Sequence, residues 1–532
     1  MLRLSLDRGV DILSRQIYRQ HRFHGRILPC YLHMSLNLHQ VDPKVHTSPT
    51  SNDGIKPFDQ IPGSDTTSLR NIIFAIRNFK YMTQKAHLAV RDMFQANGPI
   101  VKSNFGGTEF VLVSDPKDIE RAYRAEGKYP RRFDIGPWSY YREERKLPLG
   151  VLLANDEEWK ETRSAVDKRL LKLKDVQSYA KTMNQVIDDF INYLLHIRGK
   201  HGVDNEILGF ESQTFRWSLE TVLSIIFDKR IGCLDYPPSQ RGEAFYKALT
   251  NMMEKSASLL IFPPYYKYIK TRFWKEFCGH WDTMYEIGLQ IIQERKEELK
   301  SMDTNINDDD NVDFLTDVLR RSNLSDVQLN ITLLELMIGA SDTTANTISW
   351  TMLLLSQYPE AQEKLYQEIS QVLKDGEEPD AVTVHNAPYL RACIKESMRL
   401  YPVLINLSRI VKEDVVLSGY HVPANTPVIT NVYEPFHNES IYPEPEIFKP
   451  ERWIKGTHPE SIGRAGFKFL PFGFGPRMCI GRRIAELEMH LLLAKMVKRF
   501  VIGCNNLDEI EAINRVTLTP DRPMKLTLTE RQ

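Results

Sequence analysis

The residues best suited to chemistry lie in a loop that reads FGFGPRMCIG and is followed by apolar residues at helical spacing. The loop fits the pattern F-x-x-G-x-R-x-C-x-G, whose fixed positions are held by Phe472, Gly475, Arg477, Cys479 and Gly481. Cys479 is therefore expected where a loop becomes a helix N-terminus. Free backbone N–H groups and the positive end of the helix dipole at such a place favour a thiolate over a thiol.

The neighbours of Cys479 suit a flat ligand that carries carboxylates. Glycines let the loop pass close under such a ligand, Phe472 can shield the sulfur, and Arg477 offers a fork of donors. One thiolate without a second Cys or His nearby does not build a zinc or iron–sulfur site, which needs about four ligands. A single axial thiolate does suit haem iron. The alternative is a buried Cys in a glycine-rich turn.

This loop resembles the cysteine loop of the cytochrome P450 family. The resemblance implies haem b (iron protoporphyrin IX) as the cofactor, Cys479 as the axial ligand of its iron, and contact of the other four fixed residues with the haem. It also implies that family's fold, which is mainly α, with a large helical haem domain and a minor β-rich side. Five segments of the chain agree with the family in order and spacing.

A second segment is the helix expected after Asn155, which stands as an N-cap before three acidic residues. On that helix Trp159 and Arg163 are four residues apart, so they share one face. The W-x-x-x-R spacing resembles the family's clamp for the haem propionates, because an indole N–H and a guanidinium both donate to carboxylates. The resemblance makes Arg409 another propionate donor. Alone, the pair is more often a core residue beside a surface residue.

The longest helical pattern covers 325–357, with Ser325 and Gln328 as a capping box. Its middle reads GASDTT, and Gly, Ser and Thr are poor choices inside a helix. Such local frustration suggests a functional site. The run resembles the oxygen-binding groove of the family, with Ala340 in place of the usual Gly, and implies that Thr343 and Asp342 supply protons to oxygen during its reduction. The alternative is a crossing of two helices at small residues.

The next predicted helix, over 386–400, contains Glu396 and Arg399, which face the same way and can form an ion pair. A lone E-x-x-R means little, but here Tyr-Pro follows it and the segment PERW, with Arg452, comes later in the chain. Together they resemble the family's buried triad, whose role is structural. Breaking such a triad is costly.

Charged residues near the cysteine loop predict an electron-transfer partner. Arg482 and Arg483 begin a helix, where cations are electrostatically unfavourable. The run GRRIAELEM resembles the mitochondrial branch of the family, in which a basic face receives an acidic, adrenodoxin-like ferredoxin reduced by an NADPH-dependent reductase. Arg391 and Lys395 match the docking positions of that branch. Complementary charge steers such partners, although solvated helix charge is the simpler alternative.

Composition limits the function classes. With 69 basic and 69 acidic residues, the chain is no general nucleic-acid binder. Its six scattered cysteines suit a reducing compartment, and no stretch approaches the ~18 apolar residues of a membrane-spanning helix. The Arg-rich, amphipathic start predicts a mitochondrial presequence over 1–40, despite Asp7 and Asp11. Turn formers predict a linker over 41–56, and the haem-thiolate monooxygenase domain is expected over 57–532.

Other segments shape the expected pocket. Residues 100–114 predict a hairpin, and the final strands near 515–519 and 524–528 are expected to pair with each other. The resemblance places the loop 131–155 beside the substrate. Between helices over 175–300, the aromatic, Lys-flanked interruption at 262–266 would roof the pocket and contact a membrane interface. An ordinary helix–helix turn would explain that interruption equally well.

The resemblance implies a monooxygenase that uses O2 and two singly delivered electrons to hydroxylate a lipophilic substrate, with a steroid or sterol favoured. Its expected place is the matrix side of the inner mitochondrial membrane, bound peripherally. Three alternatives stay open: a haem protein that rearranges peroxides, a haem- or lipid-binding sensor without turnover, and a microsomal enzyme that uses a diflavin reductase on xenobiotics. The intact Asp342-Thr343 pair argues against a protein that rearranges peroxides. The docking residues argue against a sensor without turnover. The absence of an N-terminal anchor argues against the third.

Overall fold

The structure is a computed structural model, and it describes residues 54–63, 77–105, 108–261, 264–301, 313–454, 456 and 466–531. Lys56–Gln532 form one compact unit, distinct from Met1–Ile55. The predicted presequence lies outside the described residues, as does nearly all of the predicted linker, so both stay predictions. Among the described helices, none combines the length and the apolar character needed to cross a membrane.

Helices dominate the part of the chain that the structure describes, which confirms the predicted mainly α fold. They are α1 (Phe79–Gln84), α2 (Ala86–Asn97), α3 (Pro116–Arg124), α4 (Gly136–Arg145), α5 (Asp156–Leu171), α6 (Leu173–Ser178), α7 (Ala180–Ile197), α8 (Phe210–Phe227), α9 (Gln240–Ile261), α10 (Arg272–Ser301), α11 (Phe314–Arg321), α12 (Asp326–Gln357), α13 (Pro359–Val372), α14 (Ala381–Asn386), α15 (Pro388–Leu400), α16 (Tyr433–Phe436) and α17 (Arg482–Arg499).

Short strands form the minor β side. They are β1 (Ile100–Phe105), β2 (Thr108–Val113), β3 (Glu206–Leu208), β4 (Asn406–Ile410), β5 (Val415–Leu417), β6 (Tyr420–Val422), β7 (Pro427–Asn431), β8 (Phe500–Cys504), β9 (Ala512–Arg515), β10 (Thr517–Pro520) and β11 (Lys525–Glu530). Their sheet orders are β1-β2-β7-β4, β3-β11-β8, β9-β10 and β5-β6. Strands β1 and β2 are antiparallel, as predicted for 100–114.

The predicted pairing of the two final strands is wrong. Strand β10 pairs with β9, whereas β11 pairs with β3 and β8. The tight turn between β9 and β10 centres on Val516, whose φ is 77°. A β-branched residue rarely adopts that conformation. No turn former marked this bend in the sequence, so a hairpin was expected one strand later.

Helix α12 is the centre of the fold, and its predicted limits are confirmed. Gln328 N–H donates to Ser325 Oγ at 3.3 Å, and Ser325 N–H donates to Gln328 Oε1 at 3.2 Å, which completes the predicted capping box. The helix packs against α8, α10, α15 and α17, and most of its side chains are buried. A helix covered on every side can present small residues to an interior ligand.

Helix α4 lies inside the segment that was predicted as a pocket loop. Trp138 and Tyr141 of α4 both pack on Trp281 of α10, with ring centroids 5.4 Å apart in each case. Such aromatic pairs stabilise beyond their buried area. The aromatic residues thus fold the segment onto α10, which local sequence spacing did not indicate.

Candidate active site

The cysteine loop is held in a defined shape by its own backbone. Cys479 N–H donates to Phe472 O at 2.9 Å, and Met478 N–H donates to Gly475 O at 3.0 Å. Gly475 has a φ of 77°, and a Cβ there would collide with the Glu126 carboxylate. Glycine is therefore required at that position.

Cys479 differs in exposure from most of the other described cysteines. Its side chain is exposed, whereas Cys233, Cys278 and Cys393 are buried. Burial by the surrounding protein nevertheless raises the pKa of the Cys479 thiol, while a hydrogen bond from Gly481 N–H and the nearby Arg163 lower it. The helix start thus lowers the pKa of the Cys479 thiol as predicted, but burial raises it by more. A bound metal ion deprotonates such a thiol outright.

Four arginines gather beside the cysteine loop. Burial, together with repulsion from Arg132, Arg409 and Arg163, lowers the pKa of Arg477 to about 8. Burial also lowers the pKa of Arg132 to about 10. Glu126 is the carboxylate of the cluster, and it pairs with Arg409. The cluster therefore carries more positive than negative charge.

Arg477 leaves two of its donors unused. Arg477 donates to Asn155 Oδ1 at 3.1 Å and to Ala154 O, but its Nε and Nη1 are buried without a partner. Arg163 donates to Met478 O at 2.9 Å. Both guanidinium groups lie near the Trp159 ring, at 4.7 Å for Arg477 and 5.7 Å for Arg163. Unpaired buried donors and an excess of positive charge fit the two carboxylates of a haem, next to a thiol that can ligate its iron.

Asn155 was predicted to cap α5, and that prediction is wrong. It occupies the N-cap position, but its side chain makes no capping hydrogen bond. Its Oδ1 accepts from Arg132 N–H at 2.9 Å and from Arg477 instead. The backbone N–H of Arg132 and the buried guanidinium of Arg477, both from distant segments, occupy this acceptor in place of the helix N–H groups. Sequence reasoning also missed Arg132 and Glu126, which no spacing distinguishes from surface charge.

The predicted oxygen groove opens on α12. Gly339 is exposed in the middle of this buried helix, and a Cβ there would have open space around it. Thr343 is half-buried, and its Oγ1 donates to Gly339 O at 2.9 Å. Asp342 Oδ2 accepts from Thr517 at 2.6 Å, and Oδ1 accepts from Asn346 at 3.0 Å. Burial raises the pKa of Asp342, which makes a carboxyl that can hold a proton.

Glu396, Arg399 and Arg452 form one buried network. Arg399 binds both oxygens of Glu396, at 3.0 and 2.7 Å, and Arg452 Nε donates to Oε1 at 3.2 Å. Trp453 Nε1 and Lys449 N–H also donate to this carboxylate. The remaining Arg399 donors reach backbone carbonyls, at 2.7 Å for Pro445 and at 3.3 Å for Ile447. The network thus fixes the chain between α15 and the cysteine loop.

The predicted docking residues come together only in part. Burial lowers the pKa of Lys395, and Arg391 and Arg482 lower it further by repulsion, so these three cations are neighbours. Arg482 pairs with Glu486 at 3.1 Å. Arg483 turns away and donates to Leu171 O at the end of α5. Successive residues on a helix point in different directions, which explains the separation.

Clusters of metal-ligating side chains are absent from the described residues. Among them, no three His, Cys, Asp or Glu side chains come close enough to hold a metal ion.

The chain is similar to known proteins along most of its length. Residues 67–528 match the family model described as Cytochrome P450. The chain is 32% identical to "Cytochrome P450 10" of Lymnaea stagnalis, over 90% of this chain and 87% of that one. It is 32% identical to "Sterol 26-hydroxylase, mitochondrial" of Mus musculus, over 82% of each. With the mouse "1,25-dihydroxyvitamin D(3) 24-hydroxylase, mitochondrial" the identity is 30% over 92% of each.

Proposed function

Because this chain belongs to the cytochrome P450 family, we propose that it binds haem b through Cys479 and hydroxylates a sterol-like substrate in mitochondria. It is a monooxygenase of that family. The observation that supports this proposal is the accessible Cys479 thiol beside the buried Arg477, two of whose donors lack partners.

Each residue of the site has a proposed part in the mechanism. Bound here, haem supplies the reductive activation of O2 and the insertion of one oxygen atom into a C–H bond. Cys479 ligates the iron and donates electron density to it. Trp159, Arg163, Arg409 and Arg477 hold and orient the carboxylates. Thr343 and Asp342 hold and deliver protons at the groove.

Our test of the cofactor assignment is spectroscopic. The ferrous–CO complex of the reconstituted protein should absorb near ~450 nm, as thiolate-ligated haem does in this family. Cys479→His should abolish that band, and Cys504→Ser, a half-buried cysteine on β8, should retain it. A band that survives in Cys479→His would overturn the ligand assignment.

We propose a sterol-like substrate because the chain is similar to relatives that are named for sterol and vitamin D hydroxylation. Incubating the enzyme with a lipid extract, ferredoxin and its reductase should give a hydroxylated sterol or secosteroid product. Product identification by mass spectrometry measures this directly. Turnover of xenobiotics alone would contradict the proposed substrate class.

The proposed electron donor is an adrenodoxin-like ferredoxin with its NADPH-dependent reductase. Lys395, Arg391 and Arg482 form a cationic patch that an acidic partner would contact. Screening shortens to ~8 Å at physiological ionic strength, so added salt should weaken binding. Lys395→Gln with Arg482→Gln should raise the Kd for ferredoxin several-fold and flatten its salt dependence.

The same helix supplies a matched control for this experiment. The side chain of Arg499 is 46% exposed, as is that of Arg482, and each pairs with one glutamate. Arg499 lies at the other end of α17, so Arg499→Gln should leave ferredoxin binding unchanged. Equal effects on the Kd for ferredoxin of Arg499→Gln and of Lys395→Gln with Arg482→Gln would contradict the proposed ferredoxin donor. Turnover only with a diflavin reductase would also contradict it.

We further propose peripheral contact with the matrix side of the inner mitochondrial membrane. The segment after α9 exposes Tyr268 by 86% and Ile269 by 64%, next to Arg272. Apolar side chains flanked by cations suit an anionic lipid interface. Tyr268→Ser with Ile269→Ser should reduce flotation with cardiolipin-containing vesicles, whereas Val382→Ser, at an exposed valine of α14, should not. Unchanged flotation would contradict this contact.

A further inference from the structure

We infer that Thr517 is a positioning residue for Asp342, a role that rests on the proposed proton delivery from α12. Thr517 lies on β10, far along the chain from the groove, and is 3% exposed. Its hydroxyl donates to Asp342 Oδ2 at 2.6 Å. The acid of the groove is thus held by a side chain from another element.

The backbone beside Thr517 is fixed on both sides. Leu518 N–H donates to Val403 O at 2.8 Å, and the Leu518 carbonyl accepts from Trp350 Nε1 at 3.0 Å. Trp350 belongs to α12 and stacks on Tyr401, with ring centroids 4.1 Å apart. Strand β10 is therefore docked on the same helix that carries Asp342. The Thr517 hydroxyl has little freedom to move away from the carboxyl.

The turn before Thr517 carries backbone strain. Val516 has a φ of 77°, a costly conformation for a β-branched residue. Strained backbone conformations of this kind are retained where the surrounding structure enforces them, often at functional sites. Here the turn brings Thr517 into β10 directly opposite Arg515 of β9. A relaxed, longer turn would shift the position of the hydroxyl along the strand.

Thr517 also determines which way Asp342 points. Asn346, one helical turn further along α12, donates to Oδ1 at 3.0 Å, so both carboxyl oxygens are engaged. Thr517 is the partner that lies outside the helix. Without it, the carboxyl would be held by Asn346 alone and could rotate about its side-chain bonds. Its distance from Thr343 would then no longer be fixed.

The inference is tested by Thr517→Val, which removes the donor and keeps the shape. We expect a roughly tenfold fall in product formed per peroxide released, which is the upper end of what one ordinary intramolecular hydrogen bond contributes. Thr517→Ser, which restores the hydroxyl, should recover coupling. Thr519→Val is the matched control, because Thr519 Oγ1 lies on the same strand and is buried without a partner. Equal coupling in Thr517→Val and Thr519→Val would overturn the inference.

A second measurement does not depend on turnover. The infrared carboxyl band of Asp342, assigned as the difference between wild type and Asp342→Asn, should shift in Thr517→Val and not in Thr519→Val. An unshifted band would overturn the inference even if activity fell. If Asp342→Asn itself left coupling unchanged, the proposed role of Asp342 would fail instead. In the Asp342→Asn background, Thr517→Val should add no further loss.

Discussion

Replacing Glu488 by Gln should change how the stability of this protein depends on pH. Glu488 lies on α17 and is 1% exposed. Burial raises its pKa from 4.5 to about 8, against the hydrogen bond with Thr344. Its Oε2 is buried without a partner. The folded protein therefore keeps this carboxyl protonated where the unfolded chain ionises it.

The direction and size of the pH effect on stability follow from the difference between the folded and unfolded pKa of Glu488. Between pH 4.5 and 8 the folded state binds a proton that the unfolded state has released, so stability falls as pH rises through that window. At about 1.36 kcal/mol per pKa unit, the loss across the window is on the order of 5 kcal/mol. Gln is neutral at every pH and has the same shape. Glu488→Gln should remove this slope and be the more stable protein above pH 8.

Urea unfolding of the haem-loaded protein at pH 5.5, 7 and 8.5 measures the effect. The difference in unfolding free energy between wild type and Glu488→Gln should grow with pH. Glu530→Gln, at an exposed residue near the end of β11, should leave the wild-type slope intact. Parallel pH profiles for wild type and Glu488→Gln would refute the assigned burial effect.

Three other variants probe the site. Arg452→Ala leaves Glu396 short of a partner in a buried network and should cost about 3–5 kcal/mol of unfolding free energy, measured by urea denaturation. Thr343→Ala should lower coupling ~10²-fold while the CO band persists, measured as NADPH consumed per product; unchanged coupling would make the groove a packing feature only. Arg477→Gln should speed haem transfer to apomyoglobin at least tenfold, because it removes a donor aimed at the carboxylates; an unchanged rate would contradict that contact.

The parts of the fold that sequence predicts best are those fixed by neighbours along the chain. The start of α12 follows from its capping box, and β1 pairs with β2 because the two strands are adjacent. The spacing that puts Glu396 and Arg399 on one face is likewise local. Each of these depends on residues that are close together along the chain.

What sequence could not supply depends on contacts between distant segments. Asn155 has the residue type and position of a cap, yet Arg132 and Arg477 take its oxygen. Thr517 is an ordinary strand residue until the turn at Val516 brings it to Asp342. In both cases a donor from a distant segment of the chain decides which hydrogen bond forms. Such competition has no counterpart in spacing or composition.

The arginine cluster implies that cofactor binding and folding are coupled. Repulsion and burial together lower the pKa of Arg477 to about 8, so holding these guanidinium groups together costs free energy in the protein alone. A ligand with two carboxylates offsets that cost and satisfies the unpaired donors of Arg477. Whatever binds the folded state and not the unfolded chain stabilises the fold by mass action. We therefore propose that the residues that make this site unfavourable on its own are those that select a dicarboxylate cofactor.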